Sequence, residues 1–153
     1  MTEEFDNSLK ELEQSIMEDM KRVYSKKTID HFFNPRNLGK IPAPNGLGRI
    51  TDPHGNTMEI YLKVRDDKVI NASFWTDGCG CCIASGSMVT ELAKGKSVLE
   101  AQKITQQDVL DAIEGLPEDD LHCALLAANT LKEAIKDHLA SKNESRKRAH
   151  RSG

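Results

Sequence analysis

Three of the four cysteines in this 153-residue chain fall within four consecutive positions, Cys79-Gly80-Cys81-Cys82, and the fourth, Cys123, directly follows His122. Thiolates gathered with an imidazole are soft donors, suited to zinc, copper(I) or iron–sulfur clusters. Disulfides are the poorer reading. The opening Met1-Thr2-Glu3-Glu4-Phe5-Asp6 is acidic and unlike a signal or transit peptide. That predicts a cytoplasmic protein, whose thiols stay reduced and serve metals or chemistry. A bridge between the neighbours Cys81 and Cys82 would also be badly strained.

Position along the chain suggests which of these groups meet. Cys79 falls just beyond a predicted strand, with Cys81 and Cys82 at the entry to a helix. His122-Cys123 opens another helix, and helix N-termini stabilise anions and lower thiol pKa values. His54 sits in the turn Asp52-Pro53-His54-Gly55-Asn56, where glycine keeps the backbone slim enough for a ligand to approach. His54, Cys79, His122 and Cys123 together would form a two-nitrogen, two-sulfur site of the kind that binds zinc or, in related form, a cluster. A lone cysteine is more often a small buried hydrophobe, and a lone turn histidine a surface residue. His31, His138 and His150 have no clustered partners and read as surface residues. A thiol enzyme would need a base and a third orienting group. No residue in the sequence names that group, so the chain is not read as an enzyme.

The elements that must position these residues follow from periodicity. Phe5, Leu9, Leu12, Ile16, Met20 and Val23 form one apolar stripe of an amphipathic helix in an otherwise charged segment. It should dock on its own domain or on another subunit. Tyr24 to Phe33 reads as a second helix with Ser25 as N-cap, ended by Asn34-Pro35 and Gly39. After a loop rich in Pro, Asn and Gly, Leu47 to Thr51 reads as a short strand. Met58 to Val64 and Val69 to Thr76 read as an antiparallel pair turning at Asp66-Asp67. Helices follow from Cys81 to about Ala93, from Ser97 to Ile104, from Thr105 to Ile113 (capped by Thr105 and Asp108) and from Leu121 to about Ala140. The fold class is α+β, a small antiparallel sheet covered by helices. Three parts are expected: an amphipathic extension over 1–22, a domain over 23–141, and a basic, disordered tail over 142–153. The formal net charge of -3 speaks against a general nucleic-acid binder, and no apolar run approaches the roughly 20 residues of a membrane span.

At these motifs the chain resembles a known family. Tyr24-Ser25-Lys26-Lys27-Thr28-Ile29-Asp30-His31-Phe32-Phe33-Asn34-Pro35-Arg36-Asn37-Leu38-Gly39 resembles the opening of the IscU/NifU-type iron–sulfur cluster assembly scaffolds. Gly78-Cys79-Gly80 with Ile83-Ala84-Ser85-Gly86-Ser87 is similar to their second cysteine loop, and His122-Cys123 to their third cysteine segment. The resemblance covers about Val23 to Leu139. It implies a three-stranded antiparallel sheet packed on one side by helices. It implies a scaffold or carrier that takes sulfur from a cysteine desulfurase, binds iron, builds a [2Fe–2S] cluster and passes it to apo acceptor proteins. Zinc at the same site is the other cofactor it implies.

Departures from the family pattern set the competing reading. His54-Gly55-Asn56 stands where the family has Cys-Gly-Asp, so the resemblance places His54 at a ligand position while removing one thiolate and one carboxylate. Imidazole in place of thiolate should raise a cluster's reduction potential. Both changes suit a more firmly held centre: zinc, or a stable cluster with a structural, redox or regulatory role and no assembly duty. Cys81 and Cys82 are additions at positions that usually hold small residues. Either could replace the missing ligand or accept persulfide sulfur. Leu116-Pro117-Glu118-Asp119-Asp120 stands where clients of the dedicated chaperone carry Leu-Pro-Pro-Val-Lys, which argues against recognition by that chaperone. The apolar stripe before Val23 lies outside the resemblance, which leaves a homo-oligomer contact as the alternative to packing on its own domain.

Overall fold

Alternation in the middle of the chain becomes a three-stranded antiparallel meander. In the computed structural model, which describes residues 2–151 and the side chains of 2–143, β1 (Gly46–Thr51), β2 (Thr57–Arg65) and β3 (Lys68–Thr76) pair in that order. Asp66 and Asp67 join β2 to β3 with φ of 53° and 62°. Successive left-handed residues are what a tight hairpin turn needs to match strand twist. Met58, Ile60 and Leu62 of β2 and Ala72 and Phe74 of β3 are fully buried. They face α3 (Gly80–Ala93) and α6 (Leu121–Arg151), so the helices cover one side of the sheet and the α+β class is as expected.

Glycine sets how closely α6 lies on β1. A Cβ at Gly48 would stand 2.4 Å from the backbone nitrogen of Ala134 and 2.5 Å from the carbonyl oxygen of Thr130. Only a residue without a side chain lets the two backbones meet there. α3 is rich in small residues and buried on nearly every side, from Cys81 through Thr90 apart from Ile83, which makes it the central helix.

α2 (Lys26–Phe33) begins where Ser25 accepts a hydrogen bond from the Thr28 amide. The Ser25 hydroxyl also donates to the Ile113 carbonyl, joining α2 to the C-cap of a later helix. The Asn34–Gly39 stretch then runs beside β3, with the Phe74 amide donating to Asn37 and the Gly39 amide to Phe74, both at 2.9 Å. α4 (Val98–Gln102) and α5 (Gln106–Ala112) close the side, α5 opening with the expected capping box of Thr105 and Asp108. A single 3-10 turn over Glu118–Asp120 precedes α6. No helix among the described residues is long and apolar enough to cross a membrane.

Three expectations change. The helix expected to end near Ala140 continues to Arg151. Residues 141–151 contain no Gly or Pro to stop it, so its backbone carries on through most of the segment expected to be a disordered tail. Ser152, Gly153 and the side chains of 144–151, His150 among them, lie outside the described residues. The N-terminal helix α1 (Thr2–Val23) does not dock on its own domain. It buries no residue, and Phe5, Leu12 and Ile16 are 66%, 57% and 51% exposed. Only its last turn reaches inward, where Met20 meets the domain beside Tyr24. His31, expected at the surface, is buried in the seam between α2 and α3, its Nδ1 2.7 Å from the Ser87 hydroxyl. That hydroxyl also accepts from the Arg36 amide at 2.9 Å. The three-residue spacing of Thr28 and His31 puts both on the inward face of α2.

Candidate metal centre

Two helix N-termini and one turn bring the site together. Cys79 is the N-cap of α3, its carbonyl accepting from the amides of Cys82 and Ile83. His122 and Cys123 lie in the first turn of α6. Both helices therefore direct their positive ends toward the same thiols, an arrangement that favours thiolates.

Bonds at the end of the hairpin hold the Cys79 loop against the His54 turn. The Thr57 amide donates to Asp77 at 2.7 Å, the Thr76 hydroxyl donates to the Thr57 carbonyl at 2.7 Å, and the Gly78 amide donates to the Thr76 hydroxyl at 3.1 Å. The Asp52 carboxylate organises the turn by accepting from the amides of His54 and Asn56, both at 2.9 Å, and from the Asn56 side chain. Burial would push Asp52 up, but these bonds outweigh it and hold the carboxyl below its ordinary value. The carboxylate near the site is thus committed to shaping the turn.

All four residues singled out in the sequence lie in one neighbourhood. Cys79 Sγ is 3.8 Å from Cys123 Sγ, and His122 Nε2 is 3.7 Å from Cys123 Sγ. His54 stacks on His122 with ring centroids 4.1 Å apart. The fifth member is Cys82. Its sulfur lies 3.3 Å from that of Cys123, and the sulfurs of Cys79, Cys82 and Cys123 all fall within 4.8 Å of one another. The sequence signal for this is the spacing of Cys79 and Cys82, three apart across the first helical turn. A Cβ at Gly78 would fall 2.6 Å from Cys82 Sγ, so that glycine makes the room the third sulfur occupies.

Cys82 and Cys123 are fully buried, whereas Cys79 is exposed. The hydrogen bond with Cys123 holds the Cys82 thiol below its ordinary value despite burial, with Cys79 adding to the effect. The same bond, with burial, pushes Cys123 up. Cys81 points elsewhere. It lines a cavity of about 200 Å³ with Met20, Tyr24, Phe32, Cys79 and Asp120. Burial first, then the charges of Asp120 and Cys79, push its thiol up to about 12. Three soft sulfurs beside two imidazoles fit a thiophilic metal or a cluster far better than a hard oxygen-loving cation.

Comparison with known proteins shows the family and the fold. Residues 23–145 match the NifU-like N terminal domain. The chain is 48% identical over 117 residues to iron–sulfur cluster assembly scaffold protein IscU 1 of Archaeoglobus fulgidus, covering 76% of each chain. It is 44% identical over 129 residues to the IscU scaffold of Escherichia coli K12, covering 81% of this chain and 99% of that one. Two solved structures share the fold. One is an N-terminal NifU-like protein from Brucella abortus, with TM-score 0.60 and 20% identity over 77% of this chain and 95% of that one. The other is described as a cluster assembly scaffold for the SUF system of Fervidobacterium islandicum, with TM-score 0.63 and 23% identity over 73% of this chain and 96% of that one.

Proposed function

This chain belongs to the family of NifU-like N-terminal domains, and from that premise we propose that it is a scaffold for iron–sulfur cluster assembly. It takes iron, and sulfur from a cysteine desulfurase, holds a [2Fe–2S] cluster as cargo and passes it to apo acceptor proteins. The work is done in the cytoplasm, where the thiols stay reduced. The observation that carries the reading is the convergence of the thiols at two helix N-termini beside His122. Cys79 and Cys123 supply thiolates, His122 and His54 supply imidazoles, and the exposed Cys79 edge is where cargo enters and leaves.

Binding and release must be balanced in such a protein. Cys123 is buried and holds; Cys79 is exposed and can exchange ligands with a partner. Neutral imidazole at position 54 leaves the bound cluster less negative than a third thiolate would, which raises its reduction potential. Asp52 is occupied by the turn, so it does not act as a competing hard ligand for iron.

A second reading is favoured by the His54–His122 stack, since two nitrogens and two sulfurs also make a tetrahedral zinc site. In that case the protein holds one metal firmly and hands on no cluster. The deciding experiment is metal and acid-labile sulfide analysis of anaerobically purified protein, with its absorption spectrum. Iron and sulfide in equal amounts with visible charge-transfer bands support the scaffold. Zinc alone, persisting after reconstitution with ferrous iron and sulfide, selects the second reading.

A further inference from the structure

Cys82 stands at none of the four ligand positions proposed above, yet at 3.3 Å its sulfur is closer to Cys123 than the sulfur of Cys79 is, at 3.8 Å. We propose that Cys82 is a resolving thiol, which reduces a persulfide formed on Cys123, releases hydrosulfide inside the cluster site and closes a Cys82–Cys123 disulfide. The inference rests on the scaffold reading. Sulfur taken from cysteine travels as persulfide, whereas a cluster contains sulfide, so two electrons must be supplied where the cluster forms.

The order of events follows from exposure and distance. Cys79 is the exposed thiol of the four, so an incoming persulfide R–S–SH meets it first. The Cys79 thiolate attacks the outer sulfur, a new S–S bond forms, and the donor leaves as its thiolate and takes up a proton. Cys123 takes the outer sulfur by the same exchange and restores Cys79. Cys82 then attacks Cys123 Sγ. The bond from Cys123 to the outer sulfur breaks, and that sulfur departs as hydrosulfide. In sum a persulfide and two thiols become a donor thiol, hydrogen sulfide and a disulfide. The two cysteine sulfurs are oxidised, the sulfane sulfur is reduced, and exchange with exposed Cys79 brings the bridge to the surface, where a dithiol reductant reopens it.

Two features suit Cys82 to this step and Cys81 to none of it. Cys82 and Cys123 are both fully buried, so bulk thiols do not compete for the persulfide and the sulfide appears where iron is held. Gly78 leaves the space that the Cys82 sulfur occupies, 3.3 Å from that of Cys123. Cys81 lies outside the group of converging sulfurs and faces the Tyr24–Asp120 cavity.

The test uses full-length, metal-free protein under anaerobic conditions with stoichiometric glutathione persulfide. Released sulfide, residual protein persulfide and cross-linked peptides are measured by assay and mass spectrometry. Wild-type protein and Cys81→Ala are expected to release sulfide and to show the Cys82–Cys123 bridge. Cys82→Ala is expected to keep the sulfur as protein persulfide and to release sulfide about tenfold or more slowly, as loss of the resolving thiolate requires. Circular dichroism of both variants verifies the fold. Release from Cys82→Ala at the wild-type rate, or a wild-type bridge between another pair, overturns the proposal. Failure of wild-type protein to load a cluster from ferrous iron and inorganic sulfide would instead strike the scaffold reading and leave the sulfide-release result standing.

Discussion

The imidazole of His54 lies against that of His122, with centroids 4.1 Å apart and planes inclined by 28°. One ring comes from an exposed turn shaped by Asp52, the other from the first turn of α6. Aromatic stacking of this kind is a modest contact, but it holds an otherwise exposed side chain against His122, whose Nε2 lies 3.7 Å from Cys123 Sγ. It ties the turn that carries His54 to the helix that carries His122.

His54→Cys therefore tests the ligand role proposed for His54 directly. Replacing neutral imidazole by thiolate adds negative charge to the cluster site, so the reduction potential should fall and the charge-transfer bands should shift. Spectroelectrochemistry of the reconstituted protein reads both. An unchanged spectrum and potential would remove His54 from the ligand set.

His31 should make stability depend on pH. Burial first, then the charge of Arg36, holds its pKa below the ordinary 6.5. The unfolded chain then binds the proton more readily than the folded one, so stability is lost as pH falls from about 6.5 through the lower, folded-state value. Urea melts at several pH values across that window should show the loss in the wild type and a flatter profile in His31→Asn. Equal slopes for the two would assign the pH dependence to other groups.

Gly48→Ala probes how the sheet seats α6. A Cβ there would meet backbone atoms of α6 at 2.4 and 2.5 Å, and neither can rotate away. Overpacking of this kind costs about 1–3 kcal/mol, and α6 would have to move, with His122 and Cys123 at its start. Denaturant melts should show the loss of stability. A neutral substitution would mean that the strand yields instead of the helix.

Truncation addresses α1. The helix buries nothing, so removing residues 1–19 should leave the thermal midpoint of the remaining domain within a few degrees. The exposed Phe5, Leu9, Leu12 and Ile16 follow alternating steps of four and three, the seam by which a helix pairs with a second copy of itself. Light scattering should then report fewer protomers per particle for the truncated protein. An unaltered number of protomers would dismiss α1 as the oligomer contact.

Much of the fold is legible along the chain because its causes are local. Alternation in Met58–Val64 marks a strand whichever helix later covers it, and Thr105 with Asp108 marks a helix start from hydrogen bonds made within three residues. The cysteine and histidine motifs identify soft-ligand chemistry for the same reason, since donor type belongs to the residue itself. The end of α6 was less legible. No residue type stops it, and nothing within the segment opposes its continuing.

By itself the sequence determined the fold class, the donor chemistry and the family resemblance, because periodicity, capping and ligand softness are properties of short stretches. Tertiary structure alone decided that Cys82 joins Cys79 and Cys123 while its neighbour Cys81 turns to another cavity. It also decided that His31 is inside and the α1 stripe outside. Adjacent helical residues point about 100° apart, and which direction faces the site depends on how α3 sits between β3, α2 and α6. That placement is set by close packing among residues far apart in the chain, at Gly80 against Phe32 of α2 and Gly86 against Phe74 of β3 above all, where an absent side chain lets two segments meet.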